Sequence, residues 1–421
     1  MTRASAYWAL VAAALRFGVA RGLDLRPAWD ATLYLRAAEG LARGEGYHCG
    51  MFGPAADPSV PTAFYPVGLP AWLALFFALL GAHPWVWQLA GALAGALSVG
   101  LTHHLTHTLG SPRRAHLAAA LACFAPGAVV WSGAPMTETV WGASLLAMVA
   151  LGRGPGGPRW RAFGAGTLLA AASYLRPNAL ALGAVVAAAG DGTRRARAHL
   201  AVASTVVALA WIAPWTARNC VSVDGCLLLS ANGGSNLAIG ALPRGEGTYF
   251  QLRPSEGCPL TVVGDAARDA CWRRVARRAI ARDPAGWLRR MPGKLAHTLE
   301  YERFVTSYAE EGAPGRWSPA ARAWADRWLF TGAWRALLVL ALLGLATGGR
   351  PPGVIRQSLA VIAAVLGTHA VFFGGDRYHV PLVPFFAMLA SRAFLAIETP
   401  WNRGPGAPDG TPRAAPRELS G

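Results

Sequence analysis

The sequence predicts an all-α membrane protein with about ten transmembrane helices, additional interfacial helices and a small helical domain outside the cytoplasm. Of its 421 residues, 53% are hydrophobic and only 14% are charged, whereas about 25% charged residues are usual in a soluble domain. Apolar stretches long enough to span a bilayer recur along the chain. Short arginine clusters separate them, as expected for cytoplasmic loops of a membrane protein.

The apolar stretches define the candidate spans. A spanning helix needs roughly 20 mainly apolar residues, and about 17 is the lower limit. Short runs can still cross where the bilayer thins. The candidate runs are, approximately, 6–23, 66–82, 85–108, 115–133, 137–152, 162–175, 178–190, 200–217, 332–348, 357–374 and 379–397.

The arginine clusters orient these spans. The strongest short basic segments are Arg113-Arg114, Arg153 to Arg161, Arg194 to Arg197, Arg350 to Arg356, and the tail with Arg403. Lysine and arginine concentrate in cytoplasmic loops, so all five segments are expected there. An even number of runs separates each cluster from the next, which is consistent with this orientation.

The run 66–82 does not fit the same count. Three runs separate Arg3 from Arg113, although both arginines are expected in the cytoplasm. This run begins Pro-Val-Gly-Leu-Pro and is interrupted soon after by Gly81 and Pro84. We therefore predict that it lies in the interface or re-enters the membrane without crossing it. Both chain ends are then cytoplasmic, and the alternative is eleven crossings.

The excess of basic over acidic residues, 39 against 22, does not indicate nucleic-acid binding, because the arginines form no single patch. Membrane lipids are the expected partners instead. We expect a membrane module over 1–217 that includes a first outer loop, 24–84. An extracytoplasmic loop domain over 218–331, C-terminal spans over 332–397 and a disordered cytoplasmic tail over 398–421 are expected to follow. The loop domain contains an arginine-rich helix from about Asp265 to Arg282, which could also lie on anionic lipid heads.

Cysteine placement supports this topology. Disulfides persist in oxidising compartments outside the cytoplasm, and five of the six cysteines fall in predicted outer loops: Cys49, Cys220, Cys226, Cys258 and Cys271. The natural local pairings are Cys220 with Cys226 and Cys258 with Cys271. Other connectivities and unpaired cysteines remain open alternatives.

Two acidic residues stand out on the predicted outer face. Asp30 opens an amphipathic stretch, 30–44, suited to a helix on the membrane surface, and Glu138 lies at the outer end of a hairpin of spans. Charge near a bilayer is costly, so both are functional candidates. Asp30 could also be a simple helix cap, and Glu138 could stabilise a first helical turn. Arg176 and Arg377 lie on the same face and could bind a lipid phosphate.

Several short blocks, in this order and on the outer face, resemble the GT-C superfamily of polytopic glycosyltransferases. The branch with protein O-mannosyltransferases and lipid A aminoarabinose transferases is the most similar. The blocks are Trp29-Asp30 with Tyr34, Ala38 to Tyr47, Phe64 to Gly68, Pro135 to Glu138, Tyr174 to Pro177, Pro214 to Asn219, Asn232 to Gly240, and Arg377 to Pro381.

The resemblance implies a sugar transfer on the outer face of the cell (inner) membrane, with inversion, from a polyprenyl-phosphate-linked donor. The acceptor would be a lipid, a glycan or a protein. Asp30 matches the aspartate that serves as catalytic base in the family, and Glu138 stands near a second important acid. Arg176, Arg377, Tyr65 and Tyr378 are expected at the donor phosphate.

Two departures limit what the resemblance implies. Many relatives carry a second acid directly after the aspartate, where this chain has Ala31, and the aminoarabinose branch has Glu-Lys where it has Phe64-Tyr65. No cofactor is therefore expected, and a requirement for a divalent metal is left open. A transporter, a flippase or a ligase of lipid-linked glycans is the alternative function.

The predicted topology can be tested at Arg113. A reporter fused there should be active on the cytoplasmic side, because the preceding runs then cross the membrane an even number of times. Extracytoplasmic activity of the same fusion would mean that the run 66–82 crosses. A fusion at the N-terminal end, next to Arg3, provides the control, since its expected cytoplasmic position does not depend on whether the run 66–82 crosses.

Overall fold

The structure is a computed structural model that describes residues 1–48, 60–154 and 156–394. Within these ranges every regular element is helical, and only two isolated backbone bridges interrupt that pattern. The prediction of an all-α fold is thereby confirmed. The predicted tail 398–421 and Cys49 lie outside the described residues.

Ten helices form the N-terminal half of the molecule. They are α1 (Arg3–Leu23), α2 (Asp30–Ala42), α3 (Gly68–Leu80), α4 (Pro84–His107), α5 (Pro112–Cys123), α6 (Pro126–Trp131), α7 (Thr137–Arg153), α8 (Pro158–Leu175), α9 (Ala179–Ala188) and α10 (Arg194–Ser222). Helix α4 packs on α1 and α7, and α8 packs between α7 and α10.

The second half continues through nine further helices. They are α11 (Gly233–Ala241), α12 (Asp265–Arg282), α13 (Pro284–Arg289), α14 (Met291–Leu299), α15 (Phe304–Gly312), α16 (Pro319–Trp324), α17 (Thr331–Thr347), α18 (Gly353–Val371) and α19 (Val383–Ala390). A π-helical turn, Ala325–Phe330, joins α16 to α17, and a 3₁₀ segment, Asp376–Leu382, precedes α19.

Four helical stretches of the described part are long and apolar enough to cross a membrane. They are Pro84–His107, Arg194–Ser222, Pro319–Thr347 and Gly353–Val371. The chain is accordingly an α-helical membrane protein, while the count of about ten crossings stays a prediction. Helix α3 has 13 residues and a length of about 20 Å at 1.5 Å per residue. That is shorter than the hydrocarbon core of about 30 Å, and whether α3 crosses also stays a prediction.

Two predicted runs are not single helices, and proline is the reason in both. The run 115–133 is divided between α5, which ends at Cys123, and α6, which begins at Pro126. The run 379–397 starts as a 3₁₀ segment containing Pro381 and becomes α-helical only from Val383. Proline lacks the backbone N–H of a helix interior, and its ring clashes with the preceding turn.

Helices α11 and α12 of the predicted loop domain share a small core of their own, whereas Val305 and Tyr308 of α15 belong to the main core. Ala238 and Ala241 of α11 pack against Trp272 and Ala276 of α12. Both local disulfides, Cys220–Cys226 and Cys258–Cys271, are present, so this pairing is confirmed. The arginine-rich helix also has the predicted bounds.

Hydrogen bonds connect the loop domain to the membrane helices. The carboxylate of Asp265, at the start of α12, accepts bonds of 2.7 Å from the Thr62 hydroxyl and from the backbone N–H of Ala63. The N–H of Gly374 donates to the carbonyl of Gly247 over 2.8 Å. These two contacts fix the segments on which Tyr65 and Arg377 lie.

Aromatic side chains hold the beginning of α2. Trp29, the residue before Asp30, has a φ of 51°, a left-handed conformation that is uncommon for residues other than glycine. Its ring centroid lies 5.4 Å from those of both Phe304 and Tyr308. The backbone N–H of Ala28 also donates to the Tyr308 hydroxyl over 3.3 Å. Helix α15 therefore sets the position from which α2 starts.

Loss of Cys258–Cys271, the disulfide that closes the longer of the two loops, should destabilise the loop domain. We expect Cys258→Ser with Cys271→Ser to destabilise this domain by about 3 kcal/mol, because the bridge closes a loop of roughly 15 residues in the unfolded chain. Limited proteolysis should then cut the loop faster in the variant. Cys123→Ala, a change at a buried free cysteine outside the loop, should leave the digestion unchanged. Rapid alkylation of Cys258 in the unreduced, folded protein would contradict the pairing.

Candidate active site

Asp30 is the most open acidic residue of the site. It begins α2, and its side chain is 28% exposed. One carboxylate oxygen, Oδ1, accepts a hydrogen bond of 2.6 Å from the Tyr65 hydroxyl. The other, Oδ2, lies 3.4 Å from Nη2 and 3.5 Å from Nη1 of Arg377. The positive end of the helix dipole also favours a negative charge at this position.

Arg377 lies between the two predicted acids. Its Nε is 3.7 Å from Oε1 of Glu138, on the side away from Asp30. Its Nη2 donates to the Tyr378 hydroxyl over 3.3 Å, and its guanidinium carbon lies 5.9 Å from the ring centroid of Phe304. The guanidinium thus connects a carboxylate on α2 with one on α7.

Glu138 is buried and completes a second ion pair. Its side chain is only 2% exposed, and Oε1 accepts a bond of 2.6 Å from Nη2 of Arg176. Arg176 also donates to the Thr137 hydroxyl from Nη2 over 3.1 Å and from Nε over 3.2 Å. Its guanidinium carbon lies 5.0 Å from the Trp141 ring and 5.2 Å from the Tyr378 ring.

The six residues that the sequence suggests for catalysis and donor binding form one continuous network. The contacts run from Tyr65 through Asp30, Arg377 and Glu138 to Arg176, and Tyr378 lies beside both arginines. Two carboxylates and two guanidinium groups balance one another in charge. Arg218 begins the predicted loop domain and lies elsewhere: it donates to the carbonyls of Tyr47 and Thr62.

The turn after α18 positions Arg377. Asp376 is buried, and its Oδ2 accepts hydrogen bonds from the backbone N–H groups of Arg303 and Phe304, the latter over 2.9 Å. On the other side, Nδ1 of His379 donates to the Thr298 carbonyl over 2.7 Å, and the imidazole ring stacks on Trp334. Arg377 is thus held between two anchored residues.

Two further tyrosines lie close to the site, and the sequence pattern assigns a role to neither of them. Tyr34 packs on Tyr65 with ring centroids 5.0 Å apart, and burial followed by the field of Asp30 raises its pKa. Tyr249, on the loop domain, has an exposed side chain. Partial shielding of its hydroxyl from water raises its pKa, and the carboxylate of Asp30 acts in the same direction. Tyr34 follows Asp30 by four residues on α2, so the helical pattern already brings these two side chains to one face. The approach of Tyr249 depends on tertiary packing, which a local pattern does not report.

Burial raises the pKa of Tyr65 well above its usual range, and the carboxylate of Asp30 adds to the shift. The phenol therefore keeps its proton and acts as a hydrogen-bond donor to Asp30. Among the residues that the structure describes, no group of three histidines, cysteines or acids is placed to hold a metal ion.

Comparison with solved structures identifies the fold. The chain matches the apo oligosaccharyltransferase of Archaeoglobus fulgidus with a TM-score of 0.55 at 13% identity, over 93% of this chain and 50% of that one. The same enzyme tethered to an acceptor peptide containing the NVT sequon gives 0.54 at 14% identity, with 93% and 50% covered. ArnT of Cupriavidus metallidurans bound to undecaprenyl phosphate gives only 0.42 at 16% identity, with 92% and 77% covered.

Neither a protein-family model nor a curated protein sequence matches the chain. The chain spans about half the length of the oligosaccharyltransferase that it resembles. At this level of identity the likeness establishes the fold alone, and that fold agrees with the one that the resemblance in the sequence blocks implied.

Asp376 provides a pH-dependent test of the turn that carries Arg377. Burial raises its pKa to about 6, the nearby Glu302 acts in the same direction, and the Arg303 N–H and His379 act against it. Because the folded protein holds this proton more tightly than the unfolded chain, the contribution of Asp376 to stability is greatest below pH 4 and falls as the pH rises through 6. The loss amounts to about 3 kcal/mol.

We expect Asp376→Asn to remove this contribution, so that melting temperatures at pH 5 and pH 7 lie closer together than in the wild type. The exposed carboxylate of Asp283, which caps α13, offers a matched control, and Asp283→Asn should retain the wild-type difference. An unchanged difference in Asp376→Asn would show that this carboxyl does not titrate in the range.

Proposed function

We propose that the chain is a membrane glycosyltransferase that moves a sugar from a polyprenyl-phosphate-linked donor to an acceptor hydroxyl on the extracytoplasmic face. The observation that supports this proposal most is the pairing of a partly open carboxylate, Asp30, with two arginines, Arg377 and Arg176, in one network. Such a set contains a base for the acceptor and cations for a phosphate leaving group.

Asp30 is suited to act as the general base. A sugar or lipid hydroxyl is a poor nucleophile until its proton leaves as the new bond forms, and a positioned carboxylate can take that proton. Tyr65 fixes Oδ1 of Asp30 with a short hydrogen bond, which leaves Oδ2 for the acceptor. The proton passes to Oδ2 while the acceptor oxygen bonds to the anomeric carbon and the bond to the phosphate oxygen breaks. This single displacement inverts the anomeric configuration.

The two arginines are suited to stabilise the departing polyprenyl phosphate. A phosphate needs no proton to leave, but its developing charge needs nearby cations. Guanidinium groups pair well with phosphate oxygens because their donors form a planar fork. At 3.4 Å the contact of Arg377 with Asp30 is long for a charge-assisted bond, so a phosphate oxygen can replace it at little cost.

Glu138 fits a positioning role better than a catalytic one. Its side chain is almost fully buried and already paired with Arg176 at 2.6 Å, so it is poorly placed to receive a proton from an acceptor. The carboxylate of Glu138 holds the guanidinium groups of Arg176 and Arg377 next to each other, although these two positive groups repel. Tyr378 supports this arrangement by lying against both arginines.

The location of the disulfides supports an extracytoplasmic site. The loop domain contains both bridges, which persist outside the reducing cytoplasm. The same domain is bonded to the segments of Tyr65 and Arg377 through Asp265 and Gly247. The site and the disulfides therefore share one side of the molecule. The loop domain, with the exposed Tyr249 near the base, is the part best placed to select a lipid, glycan or protein acceptor.

The proposal can be tested through Asp30. We expect Asp30→Asn to reduce sugar transfer by about 10²- to 10⁴-fold, because a general base contributes a factor of that order. The measurement is the glycan profile of the lipids and envelope proteins from cells that lack the chain and carry either the wild-type or the variant gene.

Glu39→Gln is the matched control for this test. Glu39 lies on the same helix, and its contact with Arg43 is solvent-exposed, so transfer should stay normal. If Asp30→Asn restores the full glycan profile at wild-type protein levels, then Asp30 is not the base. If the profiles of cells with and without the wild-type chain are identical, the transferase proposal itself fails.

A further inference from the structure

The arginine-rich helix α12 presents a strongly basic surface that the candidate active site does not use. Residues one helical turn apart lie on the same side of a helix, so its exposed arginines form two adjacent rows along α12. An exposed arginine of α13 extends them. We call this set the basic face, and its members are Arg273, Arg274, Arg277, Arg278, Arg282 and Arg289.

The charge of the basic face is largely uncompensated within the protein. Arg273 pairs with the buried Asp269. Over the part of the chain that the structure describes, the other five guanidinium groups make no hydrogen bond or ion pair with a protein group. Asp283, which lies within the same stretch, caps α13 instead. Like charges at such short spacing repel one another, and an external anion would relieve that repulsion.

Both ends of the basic face lie beside the ends of membrane helices. At one end, Arg273 lines an open cleft of about 430 Å³ together with Pro177, in the turn between α8 and α9. At the other end, α13 leads into α14, where Nζ of Lys294 donates to the carbonyl of Val371 over 3.0 Å. Val371 is the last residue of α18. Since the head-group layer is roughly 5–8 Å deep on each side of the hydrocarbon core, these contacts place the basic face at its level.

The basic face also lies on the side of α12 that borders the membrane helices. Ala270, one turn before Arg273, lines the same cleft. Arg277 follows Arg273 by one turn, so it continues this side of the helix. The opposite side of α12, with Trp272 and Ala276, is packed against α11 in the core of the loop domain. The arginines are therefore free to contact the membrane surface next to the bundle.

We propose that the basic face is a docking surface for anionic phospholipid head groups, which hold α12 and α13 against the membrane. Guanidinium groups suit this partner because their forked donors pair with two phosphate oxygens at once. The exposed apolar side chain of Leu288, next to Arg289, favours a lipid layer over a soluble anion. This docking does not depend on the proposed sugar transfer.

The first measurement compares the full-length wild-type protein in two bilayers. We expect the backbone amides of 273–289 to exchange hydrogen for deuterium more slowly in phosphatidylglycerol nanodiscs than in zwitterionic phosphatidylcholine nanodiscs, because anionic head groups hold this segment. Sodium chloride at about 1 M, where the Debye length is roughly 3 Å, should remove most of the difference. Equal exchange in the two bilayers at low salt would overturn the proposal.

The second measurement removes two charges from the basic face. An arginine near an anionic membrane surface contributes about 1 kcal/mol, equivalent to roughly fivefold in affinity. Arg277→Gln with Arg278→Gln should therefore weaken docking roughly 25-fold, so that phosphatidylglycerol protects 273–289 far less. Neither change leaves a protein partner unpaired, so the fold should persist. Protection equal to that of the wild type in this variant would contradict the proposal.

Two further variants serve as controls for the loss of charge. Arg277→Lys with Arg278→Lys keeps both positive charges and should retain most of the protection. Arg159→Gln with Arg161→Gln changes the net charge by the same amount at exposed positions of the first turns of α8, at the end of this helix away from the cleft. That variant should exchange over 273–289 as the wild type does.

A soluble acidic glycan is the competing partner for the same charges. Polygalacturonate, added to the wild type in phosphatidylcholine nanodiscs, tests this partner with the same exchange measurement. Protection by phosphatidylglycerol without protection by polygalacturonate is the expected result. Protection by polygalacturonate without protection by phosphatidylglycerol would mean that the basic face binds a soluble polyanion, and the proposal would be wrong. Neither result bears on the transfer activity of Asp30→Asn, so failure of the lipid surface and failure of the proposed function remain distinguishable.

Discussion

The contact of one guanidinium with two carboxylates determines how this molecule must be built. Arg377 reaches Asp30 on one side and Glu138 on the other, so three segments far apart in the chain have to meet at one point. In a low-dielectric interior, an unpaired charge costs several kcal/mol. The network is therefore stable only when α2, α7 and the turn after α18 are all in place, and the packing of the surrounding helices serves that condition.

The loop domain contributes to the site through its connections as well as through its own surface. Asp265 accepts a hydrogen bond from the segment before Tyr65, and Gly247 accepts one from the segment before Arg377. Aromatic side chains of α15 contact the start of α2. A domain that only covered the site would not need all three connections. Their presence means that movement of the loop domain would be transmitted to Asp30 and to Arg377 together.

The charge pattern of the sequence placed Asp30, Glu138, Arg176 and Arg377 on one face, and the structure brings them into contact. The positive-inside rule allows this prediction because it needs only the order of apolar runs and arginine clusters along the chain. The pairings within the site depend on side-chain geometry, and no sequence pattern shows that Glu138 contacts Arg176 rather than water. The prolines at 126 and 381 show that a run of apolar residues does not by itself ensure a continuous helix.

The left-handed backbone of Trp29 has a consequence for the order of biosynthesis. This conformation, unfavourable for a residue with a side chain, is held by Phe304 and Tyr308, which the ribosome adds long after α2 has left it. Until α15 has folded, Asp30 has neither this support nor the guanidinium of Arg377. Asp30 therefore reaches the geometry seen in the structure only after nearly the whole chain has been made, and a truncated or stalled chain would present an incomplete network to the membrane.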